Sequence, residues 1–134
     1  MMLQHYIDWA AMRDAILSIR DRLDGVGIML SGLCAVHCVL GIMLVSVLGL
    51  GGEALLAPSI HRTGLALAVG VGIVTLGLGA LRHGQLLPLG IGGCGIALMA
   101  GGLAVDHGSA EAFLTIAGVA LVATAHIRNL RHAV

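Results

Sequence analysis

VGIMLSGLCAVHCVLGIMLVSVLGL, residues 26–50, holds no Asp, Glu, Lys or Arg. As an α-helix it would extend about 37 Å, longer than the roughly 30 Å of a bilayer's hydrocarbon core. Uncharged apolar runs of that length are membrane-spanning helices, and this one carries two thiols and an imidazole, Cys34, His37 and Cys38, in its middle.

Three further apolar stretches follow, at residues 64–81, 86–105 and 112–125. The last is short, and it spans only with Phe113 and His126 near the interfaces. The polar breaks between them, at 51–62, 82–85 and 106–111, are brief enough to force consecutive helices antiparallel. The expected fold is therefore all-α, an integral membrane bundle of four transmembrane helices. Its expected organisation is an N-terminal segment at 1–24, a transmembrane domain at 25–126 and a short tail at 127–134.

Composition agrees: 58% of the residues are hydrophobic and 10% charged, and the mean hydropathy is +1.03. A soluble chain this short cannot hide so much apolar surface. The seven cations, all Arg, form no basic stripe, which excludes nucleic acid as a partner. Aromatics are three, Tyr6, Trp9 and Phe113, so little interfacial belt marks the span ends.

Charge asymmetry sets the expected orientation. Arg13, Arg20, Arg22, Arg82, Arg128 and Arg131 share one side of the four-span layout and Arg62 stands on the other. The positive-inside bias then puts both termini in the cytoplasm. The first 24 residues carry four Asp and no continuous apolar run, so no cleavable signal is expected. There Trp9, Met12, Ile16, Ile19 and Leu23 recur at steps of three and four, the pattern of an amphipathic helix lying in the interface. In the third stretch Gly93, Ala97 and Gly101 suggest a small-residue ridge for a close helix neighbour.

Cys34, His37 and Cys38 project from one side of their helix. Side chains four apart have Cβ atoms about 5 to 6 Å apart, too far for an unstrained disulfide. A soft cation can bridge the two sulfurs, and the imidazole can add a ligand or accept a thiol proton. Cys94 is expected at a similar membrane depth, about 12 Å in, as a further thiol or a packing residue. His126 and His132, with Asn129 between them at steps of three, are read as interfacial anchors or as a relay for a departing metal. His61, His83 and His107 fall in polar breaks and are read as solvated surface.

Two other readings stand beside metal transport. One is a membrane scaffold or accessory subunit whose cysteines only pack. The other is a haem-binding cytochrome, which needs two deep histidines where the sequence offers His37 alone. No nucleophile, base and orienting group form a set, so catalysis is not expected.

The stretch Ser31-Gly-Leu-Cys-Ala-Val-His-Cys38, the tail His126-Ile-Arg-Asn-Leu-Arg-His132 and the four-span layout resemble the MerC family of mercuric-ion transport proteins. The resemblance covers the chain from about Asp21 onward. It implies a bacterial inner-membrane protein with no permanently bound cofactor. Such a protein takes up Hg(II) or another soft metal ion at a first-helix cysteine pair, here Cys34 and Cys38. It releases the ion toward the cytoplasm, to a metal acceptor there; a homo-oligomer is compatible with this reading. Family members from resistance operons space the first pair more closely and carry a second, cytoplasmic pair. This tail ends His132-Ala-Val134 with no cysteine.

Overall fold

A computed structural model describes residues 2–49, 57–106 and 108–132. They form four helices and, among the described residues, no strand: α1 (Met2–Leu48), α2 (Pro58–His83), α3 (Leu87–Gly102) and α4 (Ser109–Arg131). Part of the first polar break, His107 and the last two residues lie outside the described residues.

Helix boundaries follow local chemistry. Pro58 and Pro88 sit in the first turns of α2 and α3, where a missing N–H costs nothing. Gly84 ends α2 in the left-handed region at φ 66°, its N–H bonded to the Ala80 carbonyl. Glu111 lies in the first turn of α4, and Arg128 and Arg131 in its last, each complementing the helix dipole.

α1, α2 and α4 are long and apolar enough to cross a membrane, whereas α3 is shorter, at 16 residues. The fourth apolar stretch, short in the sequence, is extended on both sides into a 23-residue helix. The third loses its end instead, because Leu103 and Ala104 leave the helix in a turn. α1 has 47 residues and reaches about 70 Å. Its N-terminal part is not a separate element: the helix runs unbroken through Asp24 and Gly25 into the first apolar stretch. The physical reason is that Arg20 and Asp24 bond directly to α4, which holds this part of the helix in line. The Trp9, Met12, Ile16 and Ile19 stripe points away from the bundle and is exposed.

The bundle is apolar outside and carries a large polar share inside. Leu33, Val36, Met43, Ile73, Leu81 and Phe113 are exposed, while Asp24, Thr75, His126 and Asn129 are fully buried. Such an inversion suits lipid as the outer solvent. The apolar centre is formed by Ala68, Met99, Val119 and Val122, with Cys34 packed against it.

α3 and α4 pack most extensively. The expected ridge of Gly93, Ala97 and Gly101 is not the contact face. Gly93 and Gly101 have open space where a Cβ would stand, and Ala97 is exposed. The contact runs instead through Gly92, Gly95, Met99 and Gly102, all buried. A Cβ on Gly95 would stand 2.6 Å from the Gly118 carbonyl oxygen, so only glycine permits this approach. Both sets have helical spacing, and the partner helix selects between them.

Candidate functional site

On α1, Arg20, Asp24, Gly27, Ser31, Cys34 and Cys38 recur at steps of four, three, four, three and four. That spacing keeps them on one stripe, and the stripe faces the bundle: all are buried except Cys34, which is half-buried. The stripe is almost entirely polar or small. It connects an outer pocket at Cys34 and Cys38 with a buried polar network around Asp24.

The outer pocket has a volume of about 540 Å³ and opens between α1 and α2, with Met99 of α3 and Thr115 of α4 at its floor. Cys34, His37 and Cys38 line it from α1, and His61 lines it from the first turn of α2. Cys38 Sγ lies 3.7 Å from His61 Nε2, within range of a thiol–imidazole hydrogen bond. The rings of His37 and His61 meet edge to face with centroids 6.0 Å apart. Behind His61, its Nδ1 is 3.8 Å from Glu111 Oε1 of α4. His61 is thus no solvated loop residue: α2 begins early enough to carry it into the bundle, where its side chain is 11% exposed.

All three cysteines are free thiols. Cys94 is exposed on α3 and does not line the pocket that Cys34 and Cys38 share. Among the described residues no three His, Cys, Asp or Glu side chains stand together as a ready-made metal cage.

Toward the other end, α1, α2 and α4 meet in the polar network. Asp24 Oδ1 lies 2.6 Å from His126 Nδ1, and its Oδ2 accepts a 2.8 Å hydrogen bond from Asn129 Nδ2. Arg20 stands 3.8 Å from the same carboxylate and donates to the Asn129 carbonyl at 2.8 Å. From α2, the Thr75 carbonyl accepts from Asn129, and His83 Nε2 lies 3.2 Å from Asn129 Oδ1. An isolated carboxylate here would be very costly; its charge is offset by Arg20 and by two hydrogen-bond donors.

The tail residues therefore divide. His126 and Asn129 are buried in the bundle as parts of this network, and His132 is exposed with its ring centroid 6.2 Å from that of His83. Neither His126 nor Asn129 is an interfacial anchor. The sequence reading missed Arg20, Asp24, Thr75, His61 and Glu111. The signal for the first two was present, because the stripe that holds Cys34 and Cys38 continues back to them without a break.

No curated protein and no solved structure matches the chain. The family model of the MerC mercury resistance protein matches residues 24–131, a segment that opens at Asp24 and closes at the end of α4. The match takes in the outer pocket and most of the buried network, and three of its helices are able to cross a bilayer. The chain accordingly belongs to the MerC family of mercury resistance proteins, as a multi-pass membrane protein of mercury-related transport.

Proposed function

We propose that the protein carries a soft metal ion, Hg(II) first among candidates, inward across the bacterial inner membrane by thiolate exchange at Cys34 and Cys38. The observation that carries this reading is one cavity inside a membrane bundle lined by two free thiols and two imidazoles. Thiolates select soft ions, and two sulfurs satisfy a two-coordinate ion with no preformed cage. Binding displaces both thiol protons. His61, at hydrogen-bond range of Cys38, is placed to accept one, with the His37 ring beside it.

In this reading α3 is the third of four spans, shortened and shielded by α4, and both termini lie in the cytoplasm, where six of the seven Arg collect. The exposed apolar stripe near the N-terminus lies on the part of α1 that continues past the span on the cytoplasmic side. The protein is a carrier, not an enzyme, and holds no permanent cofactor. Its partners are the lipid bilayer, the ion and a cytoplasmic metal acceptor, and it is compatible with a homo-oligomer.

The test is Hg(II) accumulation in cells that lack a mercuric reductase. Expression should raise uptake and sensitivity, and Cys34→Ser or Cys38→Ser should abolish both. Equal uptake by these variants at equal expression would replace the carrier with a scaffold whose cysteines only pack.

A further inference from the structure

His126 is completely buried, yet only one side of its ring is engaged. The Thr75 hydroxyl donates its single proton to the Val71 carbonyl at 2.9 Å, so toward His126 Nδ1, 3.4 Å away, it offers only lone pairs. Asp24 Oδ1 faces the same nitrogen at 2.6 Å. Two acceptors thus converge on Nδ1 and place the proton there, which in a neutral imidazole leaves the lone pair on Nε2. Nε2 has no hydrogen-bond partner among the described residues.

The ring that carries this nitrogen lines a small void. This crevice of about 10 Å³ has Gly27, Ser31, Cys34, Met99 and His126 among its lining residues. It offers room for about one water-sized body. Cys34 and Met99 line both the crevice and the outer pocket, so a thiol and a thioether stand between the two. Gly27 and Cys34 are seven residues apart, about 10 Å along α1. A Cβ on Gly27 would stand 2.5 Å from His126 Nε2, so the absent side chain is what admits the ring to the crevice.

We infer that His126 Nε2 is an inner ligand for the soft ion that the outer thiols capture, with Asp24 as its positioning residue. The inference rests on the carrier reading above and adds the station that follows capture. A histidine that binds metal through one nitrogen characteristically donates the other N–H to a carboxylate, and Asp24 with His126 has that arrangement. The chemistry also requires a weaker station, because an ion held by two thiolates is trapped. In the exchange, the Nε2 lone pair forms the new metal–nitrogen bond while the metal–Cys38 bond breaks. Cys38 leaves as a thiol, its proton returned by His61, and the ion is then held between Cys34 and His126. No electron is transferred. Two cytoplasmic thiols next displace both ligands; one of their protons restores Cys34 and the other is released. Bringing one ion within reach of Cys34 and His126 together requires the crevice to shorten.

The Cys38→Ser/Cys94→Ser double variant isolates this state, since it removes both competing sulfurs, the exposed Cys94 included. Protein labelled with ¹⁵N-histidine is reconstituted in lipid nanodiscs and given one equivalent of Hg(II). The His126 Nε2 resonance should leave the range of an unligated imidazole, and X-ray absorption should show one sulfur and one nitrogen on mercury. Adding His126→Gln should remove the nitrogen, whereas adding His37→Ala or His61→Ala should not. Before mercury is added, Asp24→Leu should scramble the His126 tautomer and Asp24→Asn, which keeps an acceptor, should preserve it.

A His126 resonance unmoved by mercury, or a nitrogen ligand that survives His126→Gln, overturns the inference. The carrier reading fails separately, on undiminished uptake by the single cysteine variants. If those variants lose uptake while His126→Gln in the otherwise native chain retains the parent rate, the outer site stands and the inner ligand falls.

Discussion

Asp24 Oδ1 and His126 Nδ1 lie 2.6 Å apart across 102 residues of chain, and both side chains are shut away from solvent. This contact joins the first helix to the last at the end opposite the outer pocket. It also fixes the depth at which α1 sits against α4, and so the level at which Cys34 and Cys38 meet α2.

Removing the carboxylate leaves the His126 N–H and the Asn129 amide without their common acceptor and Arg20 without its counter-charge. Asp24→Leu should destabilise the bundle by about 3 to 5 kcal/mol, the usual cost of stripping one partner from a buried ion pair. Asp24→Asn should cost less, since an acceptor for His126 remains. Thermal unfolding of the purified variants in one detergent provides the comparison.

Two neighbouring glycines should respond in opposite directions. A methyl group added at Gly25 would meet nothing within 4 Å, so Gly25→Ala should stabilise the helix by up to about 1 kcal/mol through lower backbone entropy in the unfolded chain. Gly27→Ala would drive a methyl into the His126 ring and should lower the unfolding temperature. Equal effects would mean that the ring does not rest on Gly27.

The packing of α3 gives a similar pair. Gly95→Ala places a Cβ against the Gly118 carbonyl and should weaken the bundle, whereas Gly93→Ala meets open space and should be tolerated. Expression yield and melting temperature of the two variants decide whether the contact runs through Gly95.

His61 Nε2 stands 3.7 Å from Cys38 Sγ, in range to take the thiol proton. His61→Ala should slow Hg(II) uptake more than His37→Ala does, while the variant's thiols still bind the ion, as judged by thiolate-to-mercury charge-transfer absorption. A His61→Ala rate equal to the parent's would remove the proton role from this residue.

Mild oxidation should leave Cys34 and Cys38 unpaired with each other, since one helical turn separates them and the helix is unbroken there. Mass spectrometry of protein from intact membranes should recover both as free thiols; a stoichiometric disulfide between them would mean that α1 is broken at this point.

Periodicity and hydropathy by themselves determined the helical class, the apolar stretches and the Cys34, His37 and Cys38 cluster, because each depends on residues within a few turns of one another. Even Arg20 and Asp24 were within reach of that reasoning, as earlier members of the cysteine stripe. Their charges read as the polar lead-in to a span, which drew the boundary at residue 24 and hid the continuity of α1. His61, Glu111 and His126 could be assigned only by the tertiary structure. Each lies near a helix end, where solvent and bundle interior are equally compatible with the sequence. The choice depends on how far neighbouring helices overhang that end. α1 runs ten residues beyond Cys38, so His61 and Glu111, at the starts of α2 and α4, meet protein. Its N-terminal extension likewise covers the last turns of α4, where His126 finds Asp24 waiting as its acceptor.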